Sequence, residues 1–178
     1  MFLNWFRRKQ QDPQAKNIYQ WALFMAKNNF SKRFKHQSRT ERERLEKFEA
    51  IAVYMAMAVW FLKKNDKTQL AREAQEAMFE DFDSALREQG VGDLSVGGRI
   101  RKLAGAFMGR VLSYSPAFDA GDMKPLAMAL RRNGFCEDSK LHDVAVRFIQ
   151  QSCKMELDGL DNWLNEVESL SFDQNKAA

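Results

Sequence analysis

Thr40-Glu-Arg-Glu43 and, shortly after it, Ala50-Ile-Ala-Val-Tyr-Met-Ala-Met-Ala-Val-Trp-Phe-Leu62 form the stretch that decides the fold. The first piece has the form of a capping box, in which a threonine hydroxyl and a glutamate carboxylate each satisfy an orphan backbone N–H. It opens a helix expected to reach Leu62 or Lys64. The second piece is apolar on every side of that helix. A helix without a polar face must be buried on all sides, so it is read as the central element of a helical bundle. The competing reading is a methionine-rich surface for a hydrophobic client. At 13 residues the run falls short of a membrane span, which needs roughly 20, so no crossing of a membrane is expected.

Working outward, nearly everything after residue 13 has a helical period. Ile18, Trp21, Ala22 and Met25 share one face of a first helix. Asp66 is placed to cap a helix carrying Leu70, Ala74, Met78, Phe82 and Leu86 on one stripe, with Gly90 as its left-handed stop. Ser95 is expected to start the next helix, which runs towards Tyr114. On it Gly105 and Gly109, four apart, would let another helix come close. Residues 113–121, with Pro116, read as a loop. A short helix from Asp122 or Met123 to Asn133 is stopped by Gly134, with Pro125 tolerated in its first turn. Two further helices are expected, from Ser139 to about Lys154 and from Glu156 to Leu170. The expectation is an all-α, single-domain bundle of about six to eight helices. It assigns residues 1–13 to a basic N-terminal tail, 14–172 to the helical domain and 173–178 to a disordered C-terminal tail.

The formal net charge of +4 is too small to argue for nucleic acid, and no DNA partner is expected. Its distribution says more. Residues 1–50 carry 12 basic and 5 acidic side chains, whereas residues 136–178 carry 4 and 9. A basic end suits anionic head groups or ribosomal RNA, or is simply a solvated helix face. Trp5 and Phe6 followed by Arg7, Arg8 and Lys9 form a candidate membrane or ribosome contact. Charge on the far side of so short an apolar run does not fit a secretory signal. Cys136 and Cys153 are too few and too far apart for a disulfide framework or a CxxC pair.

The common signatures of chemistry do not occur. Gly90-Val-Gly92 lacks the third glycine of a dinucleotide fingerprint, and no phosphate-binding Walker loop is present. His36 and His142 belong to no metal-type spacing, and no Gly-x-Ser-x-Gly elbow exists. No catalytic residue, metal ligand or cofactor is therefore assigned, and the chain is not expected to be an enzyme.

The turn offers more. Phe79-Glu-Asp-Phe-Asp83 leads into Leu86-Arg87-Glu88, then Gly90-Val91-Gly92-Asp93, Val96, Arg99, Arg101-Lys102, Phe107, Gly109-Arg110 and Tyr114. Arg87, Glu88, Asp93 and Arg110 can tie two helix ends through charge-assisted bonds, either to hold the turn or to offer polar anchors to a partner. In order and spacing the block resembles the ubiquinol–cytochrome c chaperone family, the assembly factors of the respiratory ubiquinol–cytochrome c reductase, and its bacterial members in particular. It departs from the family's pattern at Tyr54, Gly97, Gly98 and Met108.

The resemblance implies a non-enzymatic assembly chaperone whose client is newly synthesised cytochrome b. By analogy with the mitochondrial members it suggests contact with the ribosome, and the basic N-terminal region is expected to keep the chaperone near the ribosome or the inner-membrane surface. A second chaperone subunit is a further candidate partner. Arg87, Glu88, Asp93, Arg99, Arg110 and Tyr114 are its expected partner-binding residues, clustered beside one surface. The expected location is cytoplasmic, peripheral on the inner membrane. The alternative reading is a peripheral membrane protein holding a lipid or a quinone-like molecule between helices, which calls for a closed apolar tunnel along residues 48–62.

Overall fold

The structure, a computed structural model, describes residues 12–38, 40–135 and 138–176. Among the described residues it has eight helices and no strand: α1 (Pro13–Asn29), α2 (Ser31–Phe34), α3 (Glu41–Lys64), α4 (Thr68–Glu88), α5 (Asp93–Ala120), α6 (Met123–Arg132), α7 (Asp138–Asp158) and α8 (Leu160–Lys176). The expected all-α bundle is what forms.

The central helix follows from its sequence. Thr40 accepts from the Glu43 N–H at 3.2 Å and Glu43 reaches back to the Thr40 N–H, so the capping box is complete. From Phe48 to Leu62 every residue of α3 is buried. This is possible because α1, α2, α4, α5 and α7 all pack against it. Each large apolar side chain withdrawn there contributes about 1.5–3 kcal/mol. A relay of edge-to-face aromatic contacts ties in the chain's far end. Trp163 of α8 meets Trp21 of α1 at 5.4 Å and Phe61 of α3 at 5.5 Å, and Tyr54 of α3 meets Phe148 of α7 at 5.3 Å. The side chains of residues 48–62 are packed against these neighbours.

Five local expectations differ from what forms. Asp66 does not cap α4. It takes a left-handed conformation (φ 59°) and ends α3, with the Lys67 N–H on the Leu62 carbonyl at 2.8 Å, while α4 starts without a side-chain cap. Helix α5 begins at Asp93 rather than Ser95. It also continues through Pro116 to Ala120, so residues 113–120 are helical and not a loop. The proline lacks the N–H that would reach the Leu112 carbonyl, but Leu112 and Pro116 lie on the solvent side, where water can satisfy that oxygen. Gly105 and Gly109 of α5 receive no neighbouring helix; both are exposed, and a Cβ on either would meet nothing within 4 Å. Finally, the break between α7 and α8 falls at Gly159 (φ 78°), where the left-handed conformation suits glycine, and α7 runs on to Asp158.

The stops at Gly90 and Gly134 are as expected, with φ of 77° and 63°. At the first, the Val91 N–H bonds the Leu86 carbonyl at 3.1 Å and the Gly90 N–H bonds Arg87 at 2.9 Å, closing α4 before α5 begins.

Candidate functional site

Helix α5 carries most of the residues expected to matter, and its two faces hold different chemistry. The inner face meets α3. There Arg110 makes a bidentate contact with Glu49, its Nε lying 3.0 Å from Oε2 and its second amino group on Oε1. A third donor reaches the Ala106 carbonyl at 2.9 Å, and the guanidinium lies 5.4 Å from the Phe48 ring centre. The two side chains are 16% and 7% exposed, so this is an interior ion pair that bolts α5 to α3. One turn further, Tyr114 is fully buried and its hydroxyl accepts from Asn133 at 2.7 Å, joining α5 to the end of α6. Burial, and to a smaller extent the nearby Glu49 carboxylate, push the Tyr114 hydroxyl up to about 12, against the Asn133 hydrogen bond, which lowers it.

The turn between α4 and α5 is a separate place. Arg87 holds Asp83 at 2.6 Å on its own helix and Asp93 at the start of the next. The guanidinium is held charged by these partners, the Asp83 hydrogen bond first. Glu88 and Arg99 are exposed and take part in none of the described hydrogen bonds or ion pairs. Arg110 lies roughly 25 Å beyond Asp93 at ~1.5 Å rise per residue. The six expected residues therefore do not share one surface. Arg87, Glu88, Asp93 and Arg99 flank the turn at the surface, while Arg110 and Tyr114 are interior. The tie between helix ends that was expected to include Arg110 consists of Asp83, Arg87 and Asp93. Trp5, Phe6, Arg7, Arg8 and Lys9 lie outside the described residues.

The outer face of α5 is unlike an ordinary solvated helix. Met108 is 42% exposed and Leu112 73%, with Gly105, Gly109 and Pro116 beside them. On the following helix Met128 is 69% exposed. At the N-terminal end of the same helix stand the exposed Arg99, Arg101 and Lys102.

Comparison with known proteins bears on this arrangement. The chain matches the ubiquinol-cytochrome C chaperone family over residues 1–163, which include all of α1 to α7 and the start of α8. It belongs to that family. A solved structure, described as the crystal structure of the Cbp3 homolog from Brucella abortus, is similar at a TM-score of 0.67 with 26% identity, covering 92% of this chain and 93% of that one. A search of curated proteins gives no match. The chaperone is thus one of the assembly factors of ubiquinol–cytochrome c reductase.

Within this chaperone, sequence reasoning missed Glu49 as the partner of Arg110. The signal was available: an acid at the edge of a run buried on all sides must find a cation. It also missed Asp81, which accepts the buried Tyr19 hydroxyl at 2.5 Å and ties α1 to α4. Burial and the Asp81 carboxylate keep that phenol protonated far above its ordinary range. Among the described residues, no group of three His, Cys, Asp or Glu side chains could hold a metal, and no helix is long and apolar enough to cross a membrane.

Proposed function

We propose that the chaperone binds newly synthesised cytochrome b through the outer face of α5 and holds it until its partner subunits arrive. The observation that supports this reading is the exposed Met108–Leu112 surface with open glycines beside it. A soluble helix ordinarily turns charge outward. This one turns outward a polarisable methionine, a leucine and two positions without side chains, so an apolar client helix can approach the backbone. Such packing against small residues is how apolar helices associate when there is no water to expel.

In this reading Arg87, Glu88, Asp93 and Arg99 provide polar anchors at one end of the face. Arg110 and Tyr114 act from inside, by fixing α5 against α3 and α6. The basic end of α5 orients the chaperone towards an anionic surface, at the cytoplasmic side of the inner membrane. The work is binding without turnover.

The test places a photocrosslinking residue at Leu112 in cells and, as a control for apolar exposure alone, at Leu157 of α7, which is 87% exposed. Cytochrome b captured at 112 and not at 157 is the expected result. Leu112→Asp combined with Met128→Asp should lower cytochrome b accumulation while the purified protein melts as the parent does. Normal accumulation in that double variant would sink the proposal.

A further inference from the structure

At the opposite end of α3 from its buried half lies a cleft of about 720 Å³ that the chaperone reading does not use. Three walls form it: the α1–α2 junction, the first turns of α3, and the α6–α7 junction with the outer face of α7. Five cationic side chains line it, Lys32 and Arg33 from α2, Arg42 from α3, and Lys140 and Arg147 from α7. Among the described residues, two acids also line it, Glu46 and Asp143. Glu46 is already engaged, with Arg42 at 3.0 Å.

The floor is built rather than accidental. Arg33 has its guanidinium 5.1 Å from the Phe30 ring centre and 4.6 Å from that of Phe135. It donates to the Glu46 carbonyl at 2.9 Å and to the Phe135 carbonyl. A positive charge is therefore fixed at the base, without side-chain entropy left to lose on binding. Phe30 and Phe135, themselves edge to face at 5.1 Å, keep that base rigid. On the walls, Lys32 and Arg147 are exposed and take part in no described ion pair or hydrogen bond. Two uncommitted cations from different helices, Lys32 and Arg147, face one cleft and repel one another until an anion enters. A compact group with several acceptor oxygens suits them better than a single carboxylate, because it can meet donors from more than one wall at once.

We propose that this cleft binds a phosphate group, with Lys32 and Arg147 as its contacts and Arg33 as the fixed charge beneath. The group is either the headgroup of an anionic phospholipid or a soluble phosphorylated small molecule. The site is separate from the outer face of α5, so it stands whether or not that face carries the client.

The experiment uses the full chain and two probes. Pyrophosphate is titrated while backbone amide resonances are followed, and flotation is measured with phosphatidylcholine vesicles with and without phosphatidylglycerol. The variants are Lys32→Ala/Arg147→Ala and, separately, Asp143→Asn, all on exposed positions. Saturable shifts confined to residues 29–33, 134–135 and 140–147, weakened roughly tenfold or more in the double variant and strengthened in Asp143→Asn, establish the site for a soluble phosphate. Flotation that needs phosphatidylglycerol, falls by a similar factor in the double variant and is displaced by pyrophosphate assigns it to a lipid headgroup. Shifts spread over all basic residues overturn the proposal, as does an absence of both responses, or binding that the double variant leaves unchanged.

Discussion

Arg87 and Arg110 come from the same short block of sequence, and each holds carboxylates, but they sit in opposite surroundings. Arg87 lies in water at the α4–α5 turn between Asp83 and Asp93, with about half of its side chain exposed. Arg110 lies between α3 and α5, with Glu49 almost sealed beneath it. Within the block itself, residue type and spacing do not tell them apart; the distinguishing sign is Glu49, at the edge of the buried run of α3. The environment decides what each pair is worth. In water, Coulomb attraction is screened and ordering two long side chains nearly cancels it. In the interior the attraction is strong but the desolvation cost is comparable, so the pair adds little net stability while its rupture is expensive.

The sharpest way to break this contrast is to remove one interior partner. Arg110→Ala should cost about 3–5 kcal/mol, because Glu49 is left as an unpaired buried charge. Glu49→Leu together with Arg110→Met should recover most of that loss, since apolar groups of similar volume leave nothing to desolvate. Urea unfolding of the single and double variants measures both. A double variant as unstable as Arg110→Ala would mean that shape, and not charge, holds α5 in place.

Next in size is the alkaline limb. Burial pushes the Tyr114 hydroxyl up to about 12 in the fold, from an ordinary 10.0. A group whose folded value is raised contributes stability that is whole below its unfolded value. That stability declines as pH rises towards the folded value, here between about 10 and 12, by up to ~1.4 kcal/mol per pH unit. Tyr19 and Tyr54 are shifted the same way, both chiefly by burial, and steepen the decline. Tyr114→Phe should cost about 1 kcal/mol at neutral pH, for the lost Asn133 bond, and should show a shallower limb above pH 10. Equal limbs in the two proteins would place the sensitivity elsewhere.

Sequence reasoning succeeded where one physical requirement dominated. An all-apolar run had to be buried, a Thr-x-x-Glu box had to open its helix, and glycines at 90 and 134 had to stop theirs. It failed where solvent or a distant partner made the choice. Pro116 reads as a breaker, but the carbonyl it orphans faces water, so α5 continues. Asp66 reads as a cap, but the end of α3 needed a left-handed residue more than α4 needed an acceptor. Gly105 and Gly109 read as a packing seam, and only the packing of the other helices shows that the seam is on the outside. Arg110 and Tyr114 were read as surface anchors because their partners, Glu49 and Asn133, lie 61 and 19 residues away along the chain. The cleft walled by Lys32 and Arg147 was invisible for the same reason.

A smaller effect separates backbone from side-chain cost at the turn. A side chain at Gly90 would meet nothing within 4 Å, but the backbone there has φ of +77°. Gly90→Val should therefore lose at least ~1 kcal/mol through conformation alone. Gly92→Ala, with the same open space and φ of −62° at the start of α5, should change little. Thermal melts of both compare strain with crowding directly, and equal losses would contradict the left-handed stop.

The smallest stability effect is expected at Arg87, and it is the one that decides what the turn is for. Asp93 is 86% exposed and Asp83 20%, but Arg87, common to both pairs, is half exposed, so water reaches both pairs and salt screens them. Arg87→Ala should leave the melting temperature indistinguishable from the parent at physiological salt, with any difference appearing only as salt is withdrawn. The turn itself is closed by the backbone bonds of Gly90 and Val91, which do not need the side chain. If the guanidinium serves only the turn, cytochrome b accumulation in cells should also be unchanged. If it anchors the client, as proposed, accumulation should fall in Arg87→Ala and in Arg99→Ala while both proteins fold normally, and Arg87→Lys should restore only part of the loss because the planar fork is gone. A melting temperature that drops with accumulation would instead make Arg87 a structural residue like Arg110, and the division between surface and interior would no longer separate binding from folding.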